Sequence, residues 1–90
     1  MFKSIKVQET EPQSSWSVHQ FRNFGESVYA ALRDECEISI QEIDASTNEF
    51  HLRKIHKREV RAIMAKVRKM ADKAQMSDVI TVTELPDSAA

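Results

Sequence analysis

A chain of 90 residues makes one domain with one modest core, since a chain of this size buries only about 60–65% of the surface its unfolded form exposes. Hydrophobic residues at 41%, charged residues at 30% and a net charge of −1 are globular values, which excludes a disordered or strongly polyionic chain. No apolar run is long enough to span a bilayer, the start of the chain lacks a signal-peptide core, and the single cysteine, Cys36, cannot form an internal disulfide, so a reducing, cytoplasmic setting is expected.

Residues 2–8 alternate weakly, with Ile5 and Val7 on one side and Ser4 and Lys6 on the other, and read as a short strand. Residues 9–15 (ETEPQSS) are a connector in which Pro12 lacks an amide donor. Ser17 to Gln20 fits a capping box, with Trp16 before it in the place of a hydrophobic staple. Val18, Phe21, Phe24, Val28 and Leu32 then recur at helical spacing. Gly25 lies inside that pattern and costs about 1 kcal/mol against Ala, so a break at residues 23–25 is expected, with a firmer helix over residues 26–35.

After Cys36 the period changes to two. Ile38 and Ile40 share one side, and Ile43 falls out of phase unless a bulge at residues 41–42 restores it. Residues 44–48 are turn-formers, and alternation resumes from Phe50, with Phe50 and Leu52 inward, which completes a hairpin. A long amphipathic helix follows over residues 56–76, its stripe built from Val60, Ile63, Met64, Val67, Met70, Ala71 and Ala74. The β-branched residues 79–85 form a last strand that Pro86 stops, and residues 87–90 are a frayed tail.

The order strand, helix, strand, strand, helix, strand packs most economically as one α+β domain over residues 1–86. Its expected architecture is the ferredoxin-like βαββαβ sandwich, a four-stranded antiparallel sheet with two helices on one face. Such a fold carries no function by itself.

Charge is unevenly placed. Residues 1–52 hold four basic and nine acidic side chains, residues 53–73 nine basic and two acidic, and residues 74–90 three acidic and no basic. On a wheel of about 100° per residue, the basic side chains of the second helix fill the whole exposed arc. Lys57, Arg58, Arg61, Arg68 and Lys69 are the candidate residues for gripping phosphates or an acidic partner. The competing reading is a solvated face balanced within the chain by Glu26, Asp34, Glu35, Glu37 and Glu42. The outward strand positions, Ser39, Gln41, His51, Arg53, Thr81 and Thr83, include no Phe or Tyr on which a base would stack. A membrane-surface role is set aside, because the apolar stripe lacks Trp and Phe and the helix is needed to cover the core.

His19, His51, His56 and Cys36 are the conventional metal donors besides carboxylates, and none lie at zinc-site spacing, so no metal or cofactor is expected. Cys36 sits between Glu35 and Glu37, an acidic setting that disfavours a thiolate nucleophile. The carboxylate pairs Asp34–Glu35 and Glu42–Asp44 lie in solvated stretches, and Ser14, Ser15 and Ser17 read as turn and cap residues. No reaction type follows from these residues. The expectation is a non-catalytic interaction module that self-associates as a homodimer or binds another protein. The alternative is a nucleic-acid-binding accessory protein that uses the basic helix.

Overall fold

The computed structural model describes residues 2–9, 18–38, 43 and 49–86. The expected Trp16 staple, Ser17 cap, bulge at residues 41–42, turn at 44–48 and tail at 87–90 lie outside the described residues, as do the outward positions Ser39 and Gln41. The architecture is α+β: among the described residues, two helices and a three-stranded antiparallel sheet of order β2-β1-β3, while most of the expected strand after Cys36 lies outside them. No helix among the described residues is long and apolar enough to cross a membrane.

Strand β1 (Phe2–Glu9) is the centre of the sheet, paired with β2 (Glu49–His56) on one side and β3 (Ile80–Glu84) on the other. Its weak alternation suffices because Ile5 and Val7 are fully buried while Ser4, Lys6 and Gln8 face away from the core. The strand runs one residue beyond its expected end. Glu9, at 4% exposure, is the buried charged side chain among the described residues.

Helix α1 (Val18–Leu32) runs unbroken through Gly25, so the expected break at residues 23–25 does not occur. Gly25 is there for space. A Cβ at this position would overlap the Ile43 Cγ2 methyl and come within 3.3 Å of Phe50 Cε1. The flanking Phe21 and Phe24 rings pack against Phe50 with centroids 5.8 and 6.5 Å away. The helix is also shorter than expected at its far end, stopping at Leu32. Its last turn tightens there, with the amides of Glu35 and Cys36 donating to Leu32 O. Glu37 then makes an isolated antiparallel bridge to Arg53 on the side of β2 away from β1.

Strand β2 buries Phe50, Leu52 and Ile55, a spacing of two and then three. A regular strand cannot do this, and the ladder slips: Ile5 opposes Leu52 while Lys3 opposes Ile55, leaving an extra residue on β2. Lys54 absorbs it with φ 58, the left-handed conformation typical of a bulge. His56 ends the strand rather than opening the helix. A 3-10 turn (Lys57–Glu59) leads into α2 (Val60–Lys73), a shorter helix than the expected 56–76. Gln75, with φ 61, closes α2: its amide donates to Asp72 O at 2.9 Å and the Met76 amide to Ala71 O at 2.7 Å. These are the two bonds of a Schellman ending, and the buried Met76 and Ala71 supply its apolar contact.

The inward side chains of the sheet and of both helices form one core cluster. Each fully buried aliphatic or aromatic side chain in it contributes about 1.5–3 kcal/mol relative to exposure. Gly25→Ala tests the tightest approach. Better helix propensity offers about 1 kcal/mol, whereas overpacking costs about 1–3 kcal/mol. Urea denaturation is expected to show net destabilisation that is relieved in an Ile43→Ala background, and stabilisation in the native background would contradict the close contact.

Candidate functional site

The basic residues of the second helix separate into groups once their neighbours are known. Lys66 Nζ pairs with Glu35 Oε1 at 2.7 Å, so the side facing α1 is partly balanced within the chain. Arg68 Nη2 donates to Val82 O at 3.4 Å. Val82 sits opposite Val7 between the pairs that bond across the ladder, so its carbonyl points off the sheet edge and Arg68 covers it. Lys73 lies in the last turn of α2, where the helix dipole favours a cation, and Lys69 lies one turn before it.

Lys57, Arg58 and Arg61 remain, and they sit at the other end. With Lys3, His56 and Glu84 they line a groove of about 640 Å³. The sheet register builds it: Phe2 opposes His56 and Ile5 opposes Glu84, which brings the start of β1, the end of β2 and the end of β3 to the first turn of α2. Lys3 Nζ reaches Glu84 Oε2 at 3.1 Å. Lys57, Arg58 and Arg61 form no ion pair with another described residue. The first turn of α2 has no acidic residue, and Glu59 makes no side-chain cap bond. Cations at the positive end of a helix are opposed by its dipole, each by about 0.3–1 kcal/mol. The groove therefore concentrates positive charge where the fold disfavours it, as local conflicts at functional sites do. Of the five sequence-derived candidates, Lys57, Arg58 and Arg61 come together; Arg68 and Lys69 lie elsewhere on α2.

Beside this groove lies the sheet face opposite the helices. His51, Arg53, Thr81 and Thr83 stand on it as expected, alternating with the buried strand positions and joined by Ser4, Lys6 and Gln8. Phe2 stands on this face as well. It is the exposed large hydrophobic among the described residues, at 59%, and its ring meets the His56 imidazole edge-on at 5.3 Å. Counting back by twos along β1 from Gln8 and Lys6 leads to Phe2 on the open face.

The remaining candidates do not converge. Among the described residues no three His, Cys, Asp or Glu side chains are grouped to hold a metal. His51 Nε2 lies 3.7 Å from Glu49 Oε2. Lys54 donates a hydrogen bond that holds the Glu37 carboxyl below its ordinary value. The Cys36 thiol donates to Leu32 O at 3.6 Å, and burial, with Glu35 nearby, pushes its pKa up to about 11. Comparison with models of known families, with curated proteins and with solved structures finds no match for this chain.

Two measurements follow from this chemistry. Iodoacetamide at pH 8 is expected to alkylate Cys36 about 100-fold more slowly than a free thiol, because the thiolate fraction falls tenfold per unit of pKa; full reactivity should return in denaturant. Arg61→Glu is expected to raise stability by about 0.5 kcal/mol in urea titration, since it puts an acid in the first turn of α2. A loss of stability there would mean that the cations are already compensated.

Proposed function

We propose that this chain is a small, non-catalytic binding module of ferredoxin-like build that grips nucleic-acid phosphates in the groove of Lys3, Lys57, Arg58 and Arg61. The observation that carries the reading is the trio Lys57, Arg58 and Arg61 at the positive end of α2, which pairs with no acid among the described residues. The other cations of that helix have a partner in the turn after α1, a carbonyl on β3, or a place toward the favourable end of the dipole. A phosphate diester in the groove supplies the missing negative charge and releases condensed counterions. The sheet order β2-β1-β3, with Glu37 bridging the outer side of β2, supports a fourth strand on that edge and hence the split βαβ arrangement. A reducing, cytoplasmic setting belongs to the same reading, with Cys36 as a buried packing thiol.

Self-association, the other expectation, has less to rest on. At the β3 edge Arg68 covers the Val82 carbonyl, and the Ile80 amide donates to Met76 O. Both contacts obstruct strand-to-strand pairing there.

Fluorescence anisotropy of labelled oligonucleotides at 50 and 200 mM salt tests the proposal. With three or four phosphate contacts, affinity for a single strand should fall roughly 20- to 50-fold between the two salts. Arg58→Glu and Arg61→Glu should each weaken binding by tenfold or more, whereas Lys69→Glu should change it less than twofold. Equal losses at all three positions would replace the groove with a diffuse basic surface. No binding at low salt would overturn the proposal and direct the search to protein partners.

A further inference from the structure

The groove ends at a residue that it shares with the open sheet face. His56 lines the groove beside Lys57 and Arg58, and it also packs its ring against Phe2. Phe2 and His56 are cross-strand partners at the end of the β1–β2 ladder, so their relative position is fixed by the sheet. Phe2 leaves 59% of its surface to solvent although it is a large apolar side chain. Beyond the pair, the open face continues through Ser4 and Arg53 to Lys6 and His51, polar or basic positions. Glu49 is the acid on this face, at its far end opposite Gln8 and 3.7 Å from His51.

Resting on the groove as a phosphate site, we propose that the partner is single-stranded nucleic acid. One phosphate sits among Lys57, Arg58 and Arg61, and the adjoining unpaired base stacks on Phe2 at the His56 edge. Charge complementarity fixes the occupant: the cations meet a polyanion, while the apolar ring beside them needs a flat, weakly polar surface within one nucleotide of that charge. A nucleotide carries both in every repeating unit, whereas an acidic peptide does so only where an aromatic side chain adjoins its carboxylates. In a duplex the faces of the bases are buried in the stack, so Phe2 has nothing to meet unless a base is unpaired. The following strand of phosphates then tracks Lys6 and Arg53 across the open face.

The test compares Phe2→Ala, Phe2→Trp and Arg61→Glu on labelled single-stranded RNA, single-stranded DNA and a matched duplex. Phe2 lies at the surface, and circular dichroism checks that each variant keeps the fold. Phe2→Ala is expected to weaken single-strand binding roughly tenfold and to leave duplex binding within twofold. Phe2→Trp should hold or improve single-strand affinity and show tryptophan quenching on binding. RNA and DNA arms that respond alike identify the shared unpaired base as the ligand, and a response in one arm alone identifies the sugar as well; either supports stacking. If Phe2→Ala leaves single-strand binding unchanged while Arg61→Glu still abolishes it, the phosphate groove stands and the stacking site falls. If Arg61→Glu has no effect either, the groove reading itself fails and takes this inference with it.

Discussion

The arrangement of this molecule depends on one residue out of register. Strand β2 has to bury Phe50, Leu52 and Ile55 against the helices, and that spacing does not fit a two-residue period. Lys54 reconciles it by taking a left-handed conformation opposite the Lys3-to-Ile5 stretch of β1. For a side chain other than Gly such a conformation costs about 1–2 kcal/mol. Two contacts hold the bulge from the outer side: the paired backbone bonds between Arg53 and Glu37, each 2.8 Å, and the Lys54–Glu37 ion pair at 2.9 Å. Without the extra residue, Ile55 would face solvent and His56 would face the core. With it, Ile55 is buried, His56 stands beside Phe2, and the chain reaches Lys57 at the end of the sheet, where α2 begins.

That placement decides what the charges on α2 can do. A helical wheel shows cations around the whole exposed arc and treats them alike. The tertiary structure does not. Lys66 pairs with Glu35 in the turn after α1, Arg68 covers an edge carbonyl of β3, and Lys73 lies in the last turn of the helix, where positive charge is favourable. Cations paired within the chain and cations without a described acidic partner stand on the same helix, on different sides of it. Among the described residues, the expectation that the chain's own acids offset its basic helix therefore describes Lys66 and, on β2, Lys54, and not Lys57, Arg58 or Arg61.

Much of the core was legible in the sequence because it rests on local periodicity. The stripes of Phe21, Phe24, Val28, Leu32 and of Val60, Ile63, Val67, Ala71 are buried as their spacing requires. Element ends were less legible, since they depend on contacts across the fold. Gly25 reads as a helix breaker until Ile43 and Phe50 are seen against it. A bulge was placed at residues 41–42 to rescue Ile43, whereas the same out-of-phase pattern at Leu52 and Ile55 passed as simple alternation. Local pattern named Lys57, Arg58 and Arg61 but not the groove, because Lys3 and Glu84 meet them only through the sheet register. The phase of β1 puts Phe2 on the open face, whereas its place beside His56 follows only from the sheet register.

Glu84 sets the character of any ligand the groove accepts. It is the acid among the groove residues and already holds Lys3 at 3.1 Å. An incoming anion competes with it for Lys3, so part of the electrostatic gain is an exchange of partners rather than a new pair. The other three cations are solvent-exposed, where screening by salt keeps each interaction small. On the proposed reading, the groove is suited to a ligand that is held by many such weak contacts along a chain and released easily. A polyphosphate backbone has that form, and a single tightly bound anion would need a drier site than this fold provides.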